Sequence, residues 1–311
     1  MLSDSLDTKK QKGAVVRIPH TVVLETLAVG DHFAIEDGFY EFVVVEKPEK
    51  HVVVAEIQSD GVIKHRKSLN LIGKDVDLPS LIDEDLNKLN LATKARVDFV
   101  ALSFTRTKKD IEILRYETNK LGLDVKIIAK IENKKGLDNI DELIDCSDGV
   151  MIARGDLGIE TPIEQLTYYQ KEIINKCRDK AKTVIVATQM LQSMVEKPLP
   201  SRAEAADVAN AAFDFTDCVM LSEETAIGKY PVKSVDYMKR ILKFNEEKAT
   251  NYFNPSATSQ THAIIKAGLE ILKQNSGAEV DKAIILTESG RTARILSSYR
   301  PKNTSTGYQQ F

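Results

Sequence analysis

The sequence has no tryptophan, only three cysteines in 311 residues, and no long apolar run. Cys146, Cys177 and Cys218 are odd in number and widely spaced in apolar or helical surroundings, so we expect buried thiols in a reducing compartment. The sequence also has no large excess of one charge, since 43 Lys and Arg nearly balance 46 Asp and Glu. The protein therefore offers no strong electrostatic field to nucleic acid. Without a targeting segment or the roughly 20 apolar residues of a membrane span, we expect a cytoplasmic protein that binds neither nucleic acid nor membrane.

Along the chain, the sequence changes from a strand-like pattern to a helical one. Short β-rich runs are broken at Asp37-Gly38 and Asp60-Gly61, and Asp-Gly between β-branched runs predicts hairpins. Residues 1–76 are therefore predicted to form a small, partial antiparallel β domain. The pattern then becomes helical, with Ser80 followed by Asp83 as the predicted start of a helix.

Five short apolar runs alternate with amphipathic stretches over residues 77–245. The runs are FVALSF, KIIAKIEN, GVMIARGD, TVIVATQM and CVMLSEET. Their nearly continuous apolar character is typical of strands in a parallel sheet that is buried on both faces. Thr107 with Asp110, and the capping box from Ser201 to Glu204, predict helix starts between them.

The spacing of these runs indicates the type of sheet. The polar residues near their ends recur roughly every 30 residues, as in a β/α barrel, whose active site lies at the carboxyl ends of the strands. No G-x-G-x-x-G follows any run, which disfavours a doubly wound nucleotide-binding sheet. A closed barrel needs eight units. We therefore expect an α/β fold with a partial TIM (β/α)8 barrel that lacks three strands.

A third region, residues 259–311, contains a helical stretch, the strand-like run DKAIILT and a turn over 288–292 before another helix start. A strand, a Gly/Ser turn and a helix start together predict an anion site, because unpaired backbone N–H groups point at the ligand. This region is predicted to be the start of a C-terminal α/β domain.

Polar residues at three successive run ends suggest chemistry. Residues two apart in a strand lie on one face, so Lys130 and Glu132 are predicted to project together. The next run ends in Arg154-Gly155-Asp156, which adds a carboxylate beside a glycine that lets a ligand approach the backbone. Two carboxylates with room for water and substrate oxygens suit Mg²⁺ or Mn²⁺. With the hydroxyl of Thr188, the set suits stabilising an enolate or a transferring phosphoryl group.

Each of these residues also has a plainer interpretation. Lys130 and Glu132 could form a structural ion pair, Asp156 could cap a helix, and Thr188 could be an ordinary strand residue. Their joint occurrence at the ends of three successive predicted strands favours a functional site.

Several motifs resemble the pyruvate kinase family over roughly residues 20–302. IIAKIEN, GVMIARGDLGIE, VIVATQML, PLPSRAEAADVAN and TDCVMLSEETAIGKYPV are similar to its successive signatures, in order and at its spacing. LTESGRTARILSSYRP resembles the opening of its C-terminal domain. HRKSLNLIGKDVDLPSLIDEDL resembles the junction where its mobile lid domain returns to the barrel.

The resemblance implies phosphoryl transfer from phosphoenolpyruvate to ADP in glycolysis, giving pyruvate and ATP. It makes Lys130 the cation that stabilises the phosphoryl group in transit, and Glu132 and Asp156 the ligands of Mg²⁺ or Mn²⁺. The backbone N–H groups of Gly155 and Asp156, together with Thr188, would hold the substrate carboxylate. Thr188 would also help to protonate the enolate.

Further residues are assigned by the resemblance alone. Ser103 would lie near the phosphates, and Lys67 and Asn70 would contact the nucleotide. The phosphate loop of an effector site would comprise Thr287, Ser289, Gly290, Arg291 and Thr292. The resemblance also implies a homotetramer and a K⁺ requirement.

The sequence departs from the family in several places. The K⁺ ligands, the arginine that clamps the phosphoryl group and most of the effector domain have no match here. We therefore expect a chain truncated at both ends and inactive on its own. Phe215 and Glu223 stand where the family usually has glycine, so we expect altered backbone geometry at both positions.

Two other hypotheses remain open. One is a metal-dependent lyase or aldolase acting on pyruvate-like enolates, which also uses a Glu and an Asp at strand ends of a related barrel. The lid hairpins, Lys130 and the nucleotide-side residues favour the kinase. The other is a non-catalytic remnant with no independent activity.

Overall fold

A computed structural model describes residues 2–3, 15–18, 20–36, 38–63, 68–74, 76, 78–249, 259–274, 282–301 and 304–309. Lys67 lies outside these residues. The described strands form three sheets, of six, five and two strands.

The first sheet lies within residues 1–76. Its strands are β1 (Leu2–Ser3), β2 (Val16–Arg17), β3 (His32–Ile35), β4 (Tyr40–Glu49), β5 (Val52–Ile57) and β6 (Leu69–Leu71), in the order β2-β1-β5-β4-β3-β6. Helix α1 (Thr21–Thr26) covers this sheet, and Leu24, Phe33 and Val53 are fully buried in the shared core. All pairs except β1–β2 are antiparallel, as predicted for this region.

One of the two predicted hairpins is confirmed, and the second strand of the other falls partly on residues 64–67, outside the described residues. Strands β3 and β4 pair antiparallel around Gly38, which has φ 87°, while Asp37 lies outside the described residues. After Gly61, residues 61–63 form no strand, and β6 pairs with β3. Gly61 is a close approach, because a Cβ there would lie 1.9 Å from Cε1 of Tyr40.

The second sheet is parallel and carries the predicted barrel strands. They are β7 (Phe99–Leu102), β8 (Lys126–Ile131), β9 (Gly149–Ala153), β10 (Thr183–Ala187) and β11 (Cys218–Met220). Each strand pairs with its neighbours in chain order, which is the arrangement of a β/α barrel. Every strand stops short of the polar end of its run. In particular, Arg154-Gly155-Asp156 opens a helix and does not end β9 as expected.

Nine helices of the described chain accompany this sheet. They are α2 (Asp83–Ala95), α3 (Lys108–Lys120), α4 (Lys134–Asp138), α5 (Ile140–Cys146), α6 (Arg154–Glu160), α7 (Ile163–Asp179), α8 (Arg202–Phe213), α9 (Glu223–Ala226) and α10 (Pro231–Lys248), with a 3₁₀ turn at Gln192–Val195. No helix in the described ranges is both long and apolar enough to cross a bilayer.

Helix starts follow the predicted side-chain chemistry with one correction. Ser201 Oγ accepts from the Glu204 N–H at 3.2 Å, and the Glu204 carboxylate accepts from the Ser201 N–H at 2.7 Å, which confirms that capping box. Helix α3 begins directly after Thr107 as predicted. Helix α2 begins at Asp83, but Ser80 does not cap it, because the Ser80 hydroxyl donates to the Asp110 carboxylate.

The two faces of the parallel sheet differ. Ile127, Ile131 and Ile152 are fully buried on the face that the helices cover. The opposite face carries a smaller apolar cluster that includes Ile128 and Met151. Lys130 follows Ile128 by two residues, so it points from the strand on this second face.

The third region contains α11 (Gln260–Gln274), β12 (Lys282–Thr287), α12 (Arg291–Ser298) and β13 (Thr304–Gln309), with β12 and β13 parallel. These elements lie within the predicted range 259–311. Helix α10 extends to Lys248, beyond the limit of 245 proposed for the barrel. The three domain ranges remain predictions.

The expectation of buried thiols holds for only one cysteine. Cys177 is fully buried, and this burial raises the pKa of its thiol. Cys146 is half-buried and Cys218 is exposed, so the prediction is wrong for Cys218. The reason is its position on β11, which is the last strand of the described parallel sheet.

Candidate functional site

The register of the parallel strands brings their carboxyl ends to one rim. Leu102 of β7 pairs with Ala129 of β8, Ile131 of β8 pairs with Ile152 of β9, and Ala153 of β9 pairs with Ala187 of β10. The residues that follow these positions therefore share an edge of the sheet. They are Ser103, Lys130, Glu132, Gly155, Asp156 and Thr188.

Lys130 lies between two oxygen atoms at this rim. Its Nζ is 2.7 Å from Glu132 Oε1 and 3.1 Å from Ser103 Oγ. The second oxygen of Glu132 accepts from the Phe104 N–H at 2.5 Å. The Glu132 side chain is 3% exposed, so its charge depends on these partners, whereas Lys130 is 22% exposed and can meet a ligand.

Thr188 and Gly155 are joined directly. The Gly155 N–H donates to Thr188 Oγ1 at 2.7 Å, and the same hydroxyl donates to the Ala187 carbonyl at 2.6 Å. A Cβ on Gly155 would lie 3.5 Å from that hydroxyl. Helix α6 and the loop after β10 therefore meet at one side chain.

Asn70 brings the first sheet to the rim. It is 5% exposed in β6, and its Nδ2 lies 3.5 Å from Asp156 Oδ1. Of the two nucleotide-contacting residues suggested by the resemblance, Asn70 is thus next to a proposed metal ligand. Lys67 is outside the described residues.

The oxygen donors fit a hard divalent cation. Lys130 contacts one oxygen of Glu132 and the Phe104 N–H donates to the other, and each oxygen has two lone pairs, so the carboxylate retains capacity to bind a cation. Within the described ranges no three His, Cys, Asp or Glu side chains form a metal cluster. Mg²⁺ commonly takes one or two carboxylates and completes its shell with water and substrate oxygens. Glu132 and Asp156 are compatible with that pattern.

Two buried charged residues were missed by the reading of the sequence. Arg154 is 9% exposed and binds the Thr188 carbonyl and Asp207. Glu224 is fully buried and accepts from the Leu191 N–H at 2.9 Å. The sequence did indicate that Arg154 is buried, because it follows Val150 and Ile152 at alternate positions of an apolar run. A buried arginine needs a polar or charged partner.

The proposed effector loop lies apart from this rim in the chain, between β12 and α12. Thr287 ends β12, Gly290 has φ 72°, and Thr292 lies in the first turn of α12. The Ser289 hydroxyl accepts from the Arg291 N–H at 3.4 Å. The loop therefore forms the predicted strand-turn-helix arrangement.

The two departures from glycine have different outcomes. Phe215 has φ 59°, so a left-handed backbone is indeed imposed on a phenylalanine. Glu223 is not among the residues with positive φ; it opens α9 and accepts from Gln192 Nε2 at 2.8 Å. The expectation of altered backbone geometry is therefore wrong for Glu223.

Fold and rim together define a β/α-barrel protein with a polar site at the carboxyl ends of its strands. The family model described as pyruvate kinase, barrel domain, matches residues 2–235. Pyruvate kinases of Bacillus licheniformis, Trypanoplasma borreli and Dictyostelium discoideum are 40%, 41% and 39% identical over 295, 302 and 301 residues. The chain belongs to the pyruvate kinase family.

These alignments cover 92%, 95% and 92% of this chain, but 50%, 60% and 58% of the respective relatives. The chain thus spans between half and three fifths of the length of these relatives.

Proposed function

We propose that this protein transfers a phosphoryl group from phosphoenolpyruvate to ADP, forming pyruvate and ATP. The observation that carries the proposal is the Lys130 ammonium beside Ser103 Oγ and Glu132 at the ends of β7 and β8, in a chain of this family. Phosphoryl transfer is catalysed mainly by positioning and by charges aimed at the equatorial oxygens. A partly exposed ammonium at the rim supplies such a charge.

Glu132 and Asp156 would hold Mg²⁺ or Mn²⁺, which, when bound, stabilises charge on substrate and phosphoryl oxygens. The ion pair with Lys130 holds the Glu132 carboxylate at the rim. A K⁺ requirement, cytoplasmic location and homotetrameric assembly belong to this proposal through the family resemblance alone.

The remaining rim residues would bind and orient the substrate. The substrate carboxylate would take over the Gly155 N–H that now donates to Thr188, with the Asp156 N–H beside it. The Thr188 hydroxyl, which now donates to the Ala187 carbonyl, would turn its proton to the enolate carbon and take another proton from water. Asn70 and Lys67 would contact the nucleotide, and the 287–292 loop would bind the phosphate of an effector.

Two measurements on the purified 311-residue chain test the proposal. Mn²⁺ binding, followed by electron paramagnetic resonance, should weaken at least about 10-fold in Glu132→Gln and in Asp156→Asn. Asp138→Asn, an exposed carboxylate paired with Lys134, is the control that should bind normally. Pyruvate formation from phosphoenolpyruvate and ADP tests the expectation of an inactive chain directly: turnover above background that falls roughly 100-fold or more in Lys130→Ala would overturn it.

The outcomes separate the competing functions. Mn²⁺ binding that ignores both carboxylate variants overturns the proposed metal site. Metal binding without pyruvate formation limits the chain to the role of a non-catalytic remnant. Retro-aldol cleavage of a 2-keto acid without nucleotide would replace the kinase by the lyase.

A further inference from the structure

Arg154 lies on the face of the parallel sheet that the helices cover. Its guanidinium contacts Gln170 of α7 and Asp207 of α8, so it lies in the layer between sheet and helices. Lys130 points from the opposite face. Arg154 therefore cannot act on the ligand that Lys130 meets, although it immediately precedes Gly155.

The contacts of Arg154 connect three elements. Nη1 binds both oxygens of Asp207, at 2.8 and 2.7 Å, which neutralises the buried charge. Nη2 donates to the Thr188 carbonyl at 2.9 Å and lies 2.9 Å from Met190 Sδ. The planar fork thus fixes the start and the end of the segment from Thr188 to Met190 against α8.

That segment has an unfavourable backbone. Thr188 has φ 71° and Gln189 has φ 54°, so two successive residues with side chains occupy the left-handed region. For a β-branched residue such as Thr188 this conformation is an outlier. Conformations of this kind persist only where surrounding contacts impose them.

We propose that Arg154 is a positioning residue that imposes this turn and so directs the Thr188 hydroxyl at the Gly155 N–H. The carbonyl that Arg154 binds and the hydroxyl that Gly155 binds belong to the same residue. Loss of the guanidinium contact lets the turn relax, and the hydroxyl then leaves the rim. The catalytic part of this inference rests on the proposed function, whereas the structural part does not.

The test compares Arg154→Lys with Arg178→Lys. The lysine keeps the charge near Asp207 but cannot reach Asp207 and the Thr188 carbonyl with a planar fork. Arg178 is a matched control because it is also buried, at 4% exposure against 9% for Arg154, and instead lies over the Phe215 ring at 4.9 Å.

The first readout needs no turnover. Hydrogen exchange of the Gly155 amide, followed by NMR, should be roughly 10-fold faster in Arg154→Lys than in Arg178→Lys at matched global stability. Equal exchange in the two variants overturns the inference, whether or not the chain is a kinase.

The second readout uses turnover of the wild-type chain. Arg154→Lys should lower kcat roughly 10- to 100-fold with KM changed less than about twofold, because the displaced Thr188 hydroxyl is the group that moves a proton. In a Thr188→Val background, Arg154→Lys should lower kcat by less than a further twofold or so, because the hydroxyl that Arg154 positions is already absent. Fully multiplicative losses overturn the inference, whereas absent turnover in the wild type counts against the proposed function alone.

Discussion

The left-handed backbone at Phe215 costs stability that a glycine would avoid. Its φ of 59° forces Cβ toward the following carbonyl, a conflict of about 1–2 kcal/mol for residues with a side chain. The ring partly compensates, because the Arg178 guanidinium lies over it at 4.9 Å. The two effects can be separated by a pair of substitutions.

We expect Phe215→Gly to be about 1 kcal/mol more stable than Phe215→Ala in urea unfolding, since both lose the ring and only glycine relieves the backbone. Phe213, at the end of α8, is the matched control. There the helical backbone reverses the order, and alanine should exceed glycine by about 1 kcal/mol. A Phe215→Ala variant as stable as Phe215→Gly would contradict this account.

Some contacts of the site could be predicted from the sequence and others could not. Lys130 and Glu132 were expected side by side because the period of a strand is two, and they form an ion pair at 2.7 Å. Arg154 could not be assigned, because its partners Asp207 and Gln170 are 53 and 16 residues away along the chain. Contacts of that kind depend on how helices pack, which local patterns do not encode.

At the scale of elements, strand and helix types followed from pattern, whereas their ends did not. The five parallel strands were predicted by apolar runs. Of the polar residues near the ends of these runs, Lys130 lies within β8, whereas Ser103, Asp156, Thr188 and Ser222 belong to loops or helix starts. Asp60-Gly61 has the residues of a hairpin turn, yet Gly61 is needed for space beside Tyr40. Sequence alone could not distinguish these two uses of glycine.

The start of α3 makes stability depend on pH through Asp110. Burial alone would raise the pKa of this carboxyl, but hydrogen bonds from Ser80 and from the N–H groups of Arg106 and Thr107 lower it below its ordinary 3.8. The stabilisation by the ionised form is therefore complete above that ordinary value. It is lost as the pH falls through the lowered pKa.

We expect Asp110→Asn to lose about 1–3 kcal/mol at pH 7, because an amide cannot accept all of these donors. The difference from wild type should shrink as the pH falls below about 4. Urea unfolding between pH 7 and pH 3 measures it, with the exposed Asp138→Asn as the control that should show no such trend. A constant difference across this range would exclude the ionised carboxylate as the cause.

At the scale of the whole molecule, one arginine connects the first sheet to the parallel sheet. Arg106 donates to the carbonyls of Leu78 at 2.7 Å and Val76 at 3.3 Å, in the segment between β6 and α2. Its own position is fixed at the start of α3 by the Asp110 carboxylate, which accepts its N–H. This segment follows β6, which carries Asn70 beside Asp156, so we expect the arginine to help hold the first sheet at Asp156.

We therefore expect Arg106→Leu to loosen this junction while the parallel sheet stays folded. Hydrogen-exchange mass spectrometry should show roughly 10-fold faster exchange in the peptide covering residues 76–81, with little change in β8 and β9. Arg115→Leu is the matched control, because Arg115 lies within α3 and donates to the Cys146 carbonyl and the Asp148 carboxylate within the barrel region. Unchanged exchange at 76–81, or equal acceleration in both variants, would show that Arg106 does not couple the two sheets.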